Sequence, residues 1–158
     1  MTEGTRWQFV GFIVLLVAVH FLVRVGLGLG LYAPDLLVVA VLLSSRRLRP
    51  GAAAGLGMLL GLLEGSADPV LFGASSLALA VVGYLGSRSR ELLAGDDPLN
   101  LVAFLFAGTL TYQALLYGVL ALQGTAGSPV ALLLPALLGG IYAAAVGLGA
   151  VTLYRTVA

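Results

Sequence analysis

Six apolar runs, separated only by short turns, take up nearly all of the chain's 158 residues. A helix that crosses the roughly 30 Å hydrocarbon layer uses about 20 residues, so six of them leave no room for a soluble domain. Only 9% of the residues are charged against 60% hydrophobic, where a soluble protein carries about a quarter charged. Mean hydropathy is +1.08. The expected fold class is therefore all-α: a polytopic integral membrane protein made of one six-helix bundle over residues 1–158.

The expected spans follow the apolar runs and their punctuation. Span 1 runs from about Trp7 to Leu27, with Trp7 and Arg6 at one interface and Tyr32 at the other. A secretory signal would stop sooner and would not be followed by further apolar runs, so this is read as the first span. Span 2, Leu36 to Ser45, has only ten residues, eight of them apolar, and reaches residues 34–45 if Pro34 and Asp35 form its first turn. Pro50-Gly51 closes the SSRRLRPG turn and opens span 3, Gly51 to Gly65. Span 4 covers about Phe72 to Ser87, span 5 Pro98 to Leu122 and span 6 Pro129 to Tyr154.

Arginine placement gives an independent test of that count, because basic residues favour the cytoplasmic side. With six spans, Arg6, the Arg46, Arg47 and Arg49 turn, the Arg88 and Arg90 turn, and Arg155 all fall on one side. The opposite loops, Gly28–Ala33, Ser66–Leu71 and Gln123–Ser128, hold no basic residue. The expectation is a bacterial inner-membrane protein with both termini cytoplasmic.

Several chemistries are excluded. The absence of cysteine removes disulfides and thiolate sites. A single histidine, His20, cannot form a HExxH or any two-histidine metal site. No nucleophile-base spacing stands out, the GLGLGL segment has no preceding strand to make a phosphate loop, and there is no broad basic face for nucleic acid. Neither a catalytic residue nor a cofactor or metal is expected.

What remains is a set of charged residues inside or beside the spans. His20 and Arg24 share a face of span 1, and the topology puts Arg24, Asp35, Glu64 and Asp68 at one depth on the outer side. Arg24 either snorkels to the headgroups or pairs inside the bundle with Asp35 or Glu64. Asp35 also suits a helix N-cap, Glu64 an interfacial carboxylate, and Asp68 a solvated loop. Small residues recur at four-residue spacing: Gly51 and Gly55; Gly57, Gly61 and Gly65; Ala136, Gly140 and Ala144. Such faces allow close helix contact, within the bundle or with another chain, a second copy included.

One stretch carries a family resemblance. Pro34-Asp35-Leu36-Leu37 opens a leucine-rich helix; Arg46-Arg47 make a basic turn; a glycine-rich helix through Gly57 and Gly61 ends in Leu62-Leu63-Glu64; Asp68-Pro69 turns; and Val82-Gly83-Tyr84-Leu85 is followed by Arg88 and Arg90. This resembles the rod shape-determining MreD family, although that family often has Asp where this chain has Glu64. The resemblance implies a non-enzymatic component of the cell-elongation machinery for peptidoglycan synthesis. Its partners would be MreC and the RodA and class B penicillin-binding protein synthase, and indirectly MreB. The basic turns would meet anionic membrane lipid or a cytoplasmic partner. It also implies a fold like the substrate-binding S components of energy-coupling-factor transporters. The alternative function is therefore a transporter component whose outer polar residues line a small-solute pocket.

Overall fold

A computed structural model describes residues 3–26, 35–67, 72–89, 98–124 and 128–157. They form six α-helices: α1 (Glu3–Gly26), α2 (Leu36–Ser45), α3 (Pro50–Ala67), α4 (Ala74–Ser89), α5 (Pro98–Leu122) and α6 (Pro129–Val157). No strand occurs among the described residues. The all-α expectation is met.

The short α2 is the centre. All ten of its residues are buried, and it touches every other helix. The sequence LLVVAVLLSS has no polar face to turn outward, and a helix apolar all round is stable only when covered all round. Its two serines spend their hydroxyls inside the helix: Ser44 Oγ donates to the Ala40 carbonyl at 2.7 Å and Ser45 Oγ to that of Leu42 at 2.8 Å. The helix begins at Leu36 rather than Pro34. Asp35 sits at the N-cap with φ −73° and ψ 71° and makes no side-chain cap, and Pro34 lies outside the described residues. Ten residues span only about 15 Å.

At the other end of α2 the chain turns tightly. The amides of Arg47 and Leu48 both donate to the Ser44 carbonyl at 3.0 Å, and Pro50 then starts α3 at the position where a missing N–H costs nothing. Ser87 Oγ, near the end of α4, donates to the Leu48 carbonyl at 2.7 Å. That bond brings Arg88 to the turn carrying Arg46, Arg47 and Arg49.

α3 and α4 form a close antiparallel pair. A Cβ built on Gly57 would strike the Leu79 backbone, one on Gly61 the Ser76 backbone, and one on Gly65 would lie 2.9 Å from Phe72 Cα. From the other side, a Cβ on Gly83 would strike the Ala53 carbonyl. Positions 53, 57, 61 and 65 thus meet 83, 79, 76 and 72, one contact per helical turn. α6 lies against α5 by the same device, since a Cβ on Gly140 would sit 2.8 Å from Phe106 Cδ2.

The surface is apolar where a water-soluble bundle would be polar. Trp7, Val14 and Leu22 on α1, Leu59 and Leu63 on α3, Leu77 and Leu85 on α4, Leu99 and Leu122 on α5, and Leu138 and Ile141 on α6 are exposed, Leu22 by 72% and Leu59 by 63%. Soluble monomers rarely present large contiguous apolar patches. Among the described residues one helix, α5, is long and apolar enough to cross a membrane by length and composition, and only 28% of its apolar stretch is buried within the bundle.

Candidate functional site: a buried polar cluster opposite the basic turn

α3 carries the chain away from the basic turn, so Glu64, near its C-terminus, lies fifteen residues beyond Arg49, about 22 Å along the axis. Its carboxylate is 3% exposed. Glu64 immediately precedes Gly65, the last close contact of the α3 glycine stripe. The cost of burying a carboxylate is met from α5: Tyr112, 1% exposed, donates its hydroxyl to Glu64 Oε2 at 3.1 Å. Such a charge-assisted bond is stronger than a neutral one.

The next residue of α5 reaches a second carboxylate. Gln113 Nε2 donates to Asp35 Oδ2 at 3.4 Å, a long contact that draws Asp35 toward α5 instead of onto the amides of its own helix. Tyr112 and Gln113 are neighbours on α5, so the two carboxylates meet one stretch of that helix. The cluster is therefore assembled from the start of α2, the end of α3 and the middle of α5.

α4 adds two hydroxyls. Ser75 and Ser76, at its first turn, are 0% and 6% exposed. Ser75 lies near the Tyr112 hydroxyl, yet neither serine Oγ has a hydrogen-bond partner of good geometry. Both are placed there by the α3–α4 register, since Gly61 packs directly on the Ser75 and Ser76 backbone. Together these groups present carboxylate oxygens and hydroxyls, and so suit hydrogen-bond donors.

The other expected site residues fall as follows. His20 is buried at 1% exposure on α1, its ring edge-on to Phe21 with centroids 5.4 Å apart. Arg24 is in the last turn of α1, but its side chain lies outside the described residues, as do Asp68 and Arg90. The proposed Arg24 pairing with Asp35 or Glu64 is therefore outside what the structure describes. Gly57, Gly61 and Gly65 face α4, whereas Gly51 and Gly55 face open space. On α6, Gly140 and Ala144 are buried and Ala136 is half-buried. Arg46 is half-buried, and Arg47, Arg49 and Arg88 are exposed.

Sequence reasoning missed Tyr112, Gln113, Ser75 and Ser76. A signal existed for the first two, which are adjacent polar-tipped residues in the middle of an apolar run, where such groups seek partners. Comparison with known proteins gave no match to any family model, curated protein or solved structure.

Proposed function

We propose that this chain is a six-span inner-membrane protein, with the Arg46–Arg49 turn and Arg88 facing the cytoplasm, that acts as a non-enzymatic scaffold of the cell-elongation machinery. The observation that carries this reading is the position of the residues behind the MreD resemblance. Asp35 opens the enclosed helix α2; Arg46 and Arg47 form the turn to which Ser87 is tied; Gly57, Gly61 and Gly83 set the α3–α4 register; and Glu64 anchors the buried cluster. The resembling residues are the joints of the bundle. A pattern made of joints supports a shared architecture better than hydrophobicity alone would.

The scaffold reading also suits the surface, whose outward apolar side chains offer helix faces and no large polar domain for a partner. Partners would be MreC and, through it or directly, the RodA and class B penicillin-binding protein synthase. Affinity purification from native membranes in mild detergent is expected to recover MreC. Recovery of transporter ATPases without MreC would overturn it in favour of a second reading, an S component for a small solute. That second reading rests on the buried Ser75 hydroxyl, near the Tyr112 hydroxyl that donates to Glu64.

A further inference from the structure

A groove of about 480 Å³ lies between α4 and α5 at the basic end of the bundle. Leu42 of the central helix, Val82 and Phe104 are buried beneath it, while Leu85, Ala107 and Arg88 are exposed at its rim. The two hydroxyls along it are engaged by their own helices: Ser89 Oγ donates to the Gly86 carbonyl at 3.3 Å and Thr111 Oγ1 to that of Ala107 at 2.8 Å. The walls therefore behave as hydrocarbon. Among the described lining residues the one ionic group is the Arg88 guanidinium, and the Ser87–Leu48 bond holds this end of α4 against the turn bearing Arg46, Arg47 and Arg49.

We propose that this groove binds one anionic phospholipid, its acyl chain along Leu85, Phe104 and Ala107 and its phosphate on Arg88. The inference rests on the membrane-spanning reading above, which places Arg88 at headgroup depth. Charge complementarity chooses the occupant: a guanidinium fork matches phosphate oxygens in two-point geometry. A partner helix fits worse. Close helix docking uses small residues, but the two glycines of the groove are already committed inward. A Cβ on Gly86 would lie 2.6 Å from Ser45 Oγ, and one on Gly108 2.5 Å from the Leu42 methyls. A helix seated here would also cover Arg88. The Asp35 and Glu64 carboxylates sit at the opposite end of the bundle from Arg88.

The test is native mass spectrometry of the purified full chain in detergent, titrated with phosphatidylglycerol or with phosphatidylcholine of the same acyl chains. The first phosphatidylglycerol is expected to bind about fivefold more tightly, the fold-change that one basic residue contributes near an anionic surface. Arg88→Gln should abolish that preference, whereas Arg47→Gln, exposed at the same end, should keep it. Ala107→Phe, which fills the groove from its exposed rim, should weaken both lipids at unchanged thermal stability. Equal loss in Arg47→Gln and Arg88→Gln would reduce the site to diffuse charge and overturn it. So would a stable Ala107→Phe that binds like wild type, or a protein captured in native membranes by a cross-linker at Ala107→Cys, which would give the groove to a partner helix. Failure of the underlying reading looks different: the chain would leave the membrane fraction in alkaline carbonate without detergent.

Discussion

Gly61→Ala tests the close approach of α3 and α4 directly. The added methyl would meet three backbone atoms, among them Ser76 N at 2.6 Å and Ser75 O at 2.7 Å. No side-chain rotation relieves a backbone contact, so α4 must retreat by about 0.8 Å to bring Ser76 N to the 3.4 Å where ordinary contact begins. Overpacking of this kind costs about 1–3 kcal/mol, with a backbone clash near the upper figure. Helix propensity acts the other way, since alanine is favoured over glycine in a helix interior by about 1 kcal/mol. Gly55→Ala separates the two, because it lies on the same helix with nothing within 4 Å and collects the propensity gain alone. The pair of variants should therefore differ by about 2–3 kcal/mol, or at least 4 °C in Tm at about 2–4 °C per kcal/mol for a chain of this size. Thermal unfolding in one detergent, read by circular dichroism, measures it. Equal Tm values for the two variants would refute the packing argument. An unchanged Tm in Gly61→Ala with reduced recovery of a partner would move the glycine stripe from the bundle's interior to its exterior.

Two further outcomes follow from the polar cluster and the arginine distribution. Tyr112→Phe removes the donor to Glu64 and should lower stability by about 1–3 kcal/mol, the range for leaving a buried acceptor unsatisfied, while Glu64→Gln, which keeps an acceptor for the tyrosine, should cost less; a neutral Tyr112→Phe would detach the tyrosine from the role given it. The chain has no cysteine, so Arg47→Cys and Gln123→Cys each introduce a unique thiol. Membrane-impermeant thiol reagent should label Gln123→Cys in intact spheroplasts and Arg47→Cys only in inverted vesicles, and same-side labelling would overturn the orientation.

The helices were legible because proline and glycine punctuate the apolar runs: Pro50, Pro98 and Pro129 each stand at an observed helix start. The small-residue stripe on α3 was legible as a close-packing face but not as α4's, since spacing alone names no partner. α2 shows the physical limit most clearly. Its run of leucine, valine and alanine reads alike whether lipid or protein surrounds it, because both are equally non-polar to such side chains. Only its shortness hinted that it differs. The polar cluster was legible by half. Asp35 and Glu64 stand out as charges in apolar surroundings, but the groups that meet them, Gln113 and Tyr112, lie 78 and 48 residues further along the chain. No local pattern encodes such pairings.

The enclosure of α2 carries a consequence for how the molecule is made. Three of the helices that wrap it, α4, α5 and α6, follow it in the chain and are synthesised only afterwards, and α4 is the one it meets most extensively. For the time it takes to translate residues 74–157 the future centre has an incomplete wall. It must therefore be held by provisional neighbours, α1 and α3 from its own chain or an insertion factor beside it, and then handed over. Its contacts with α4, α5 and α6 can become permanent only after those helices are made.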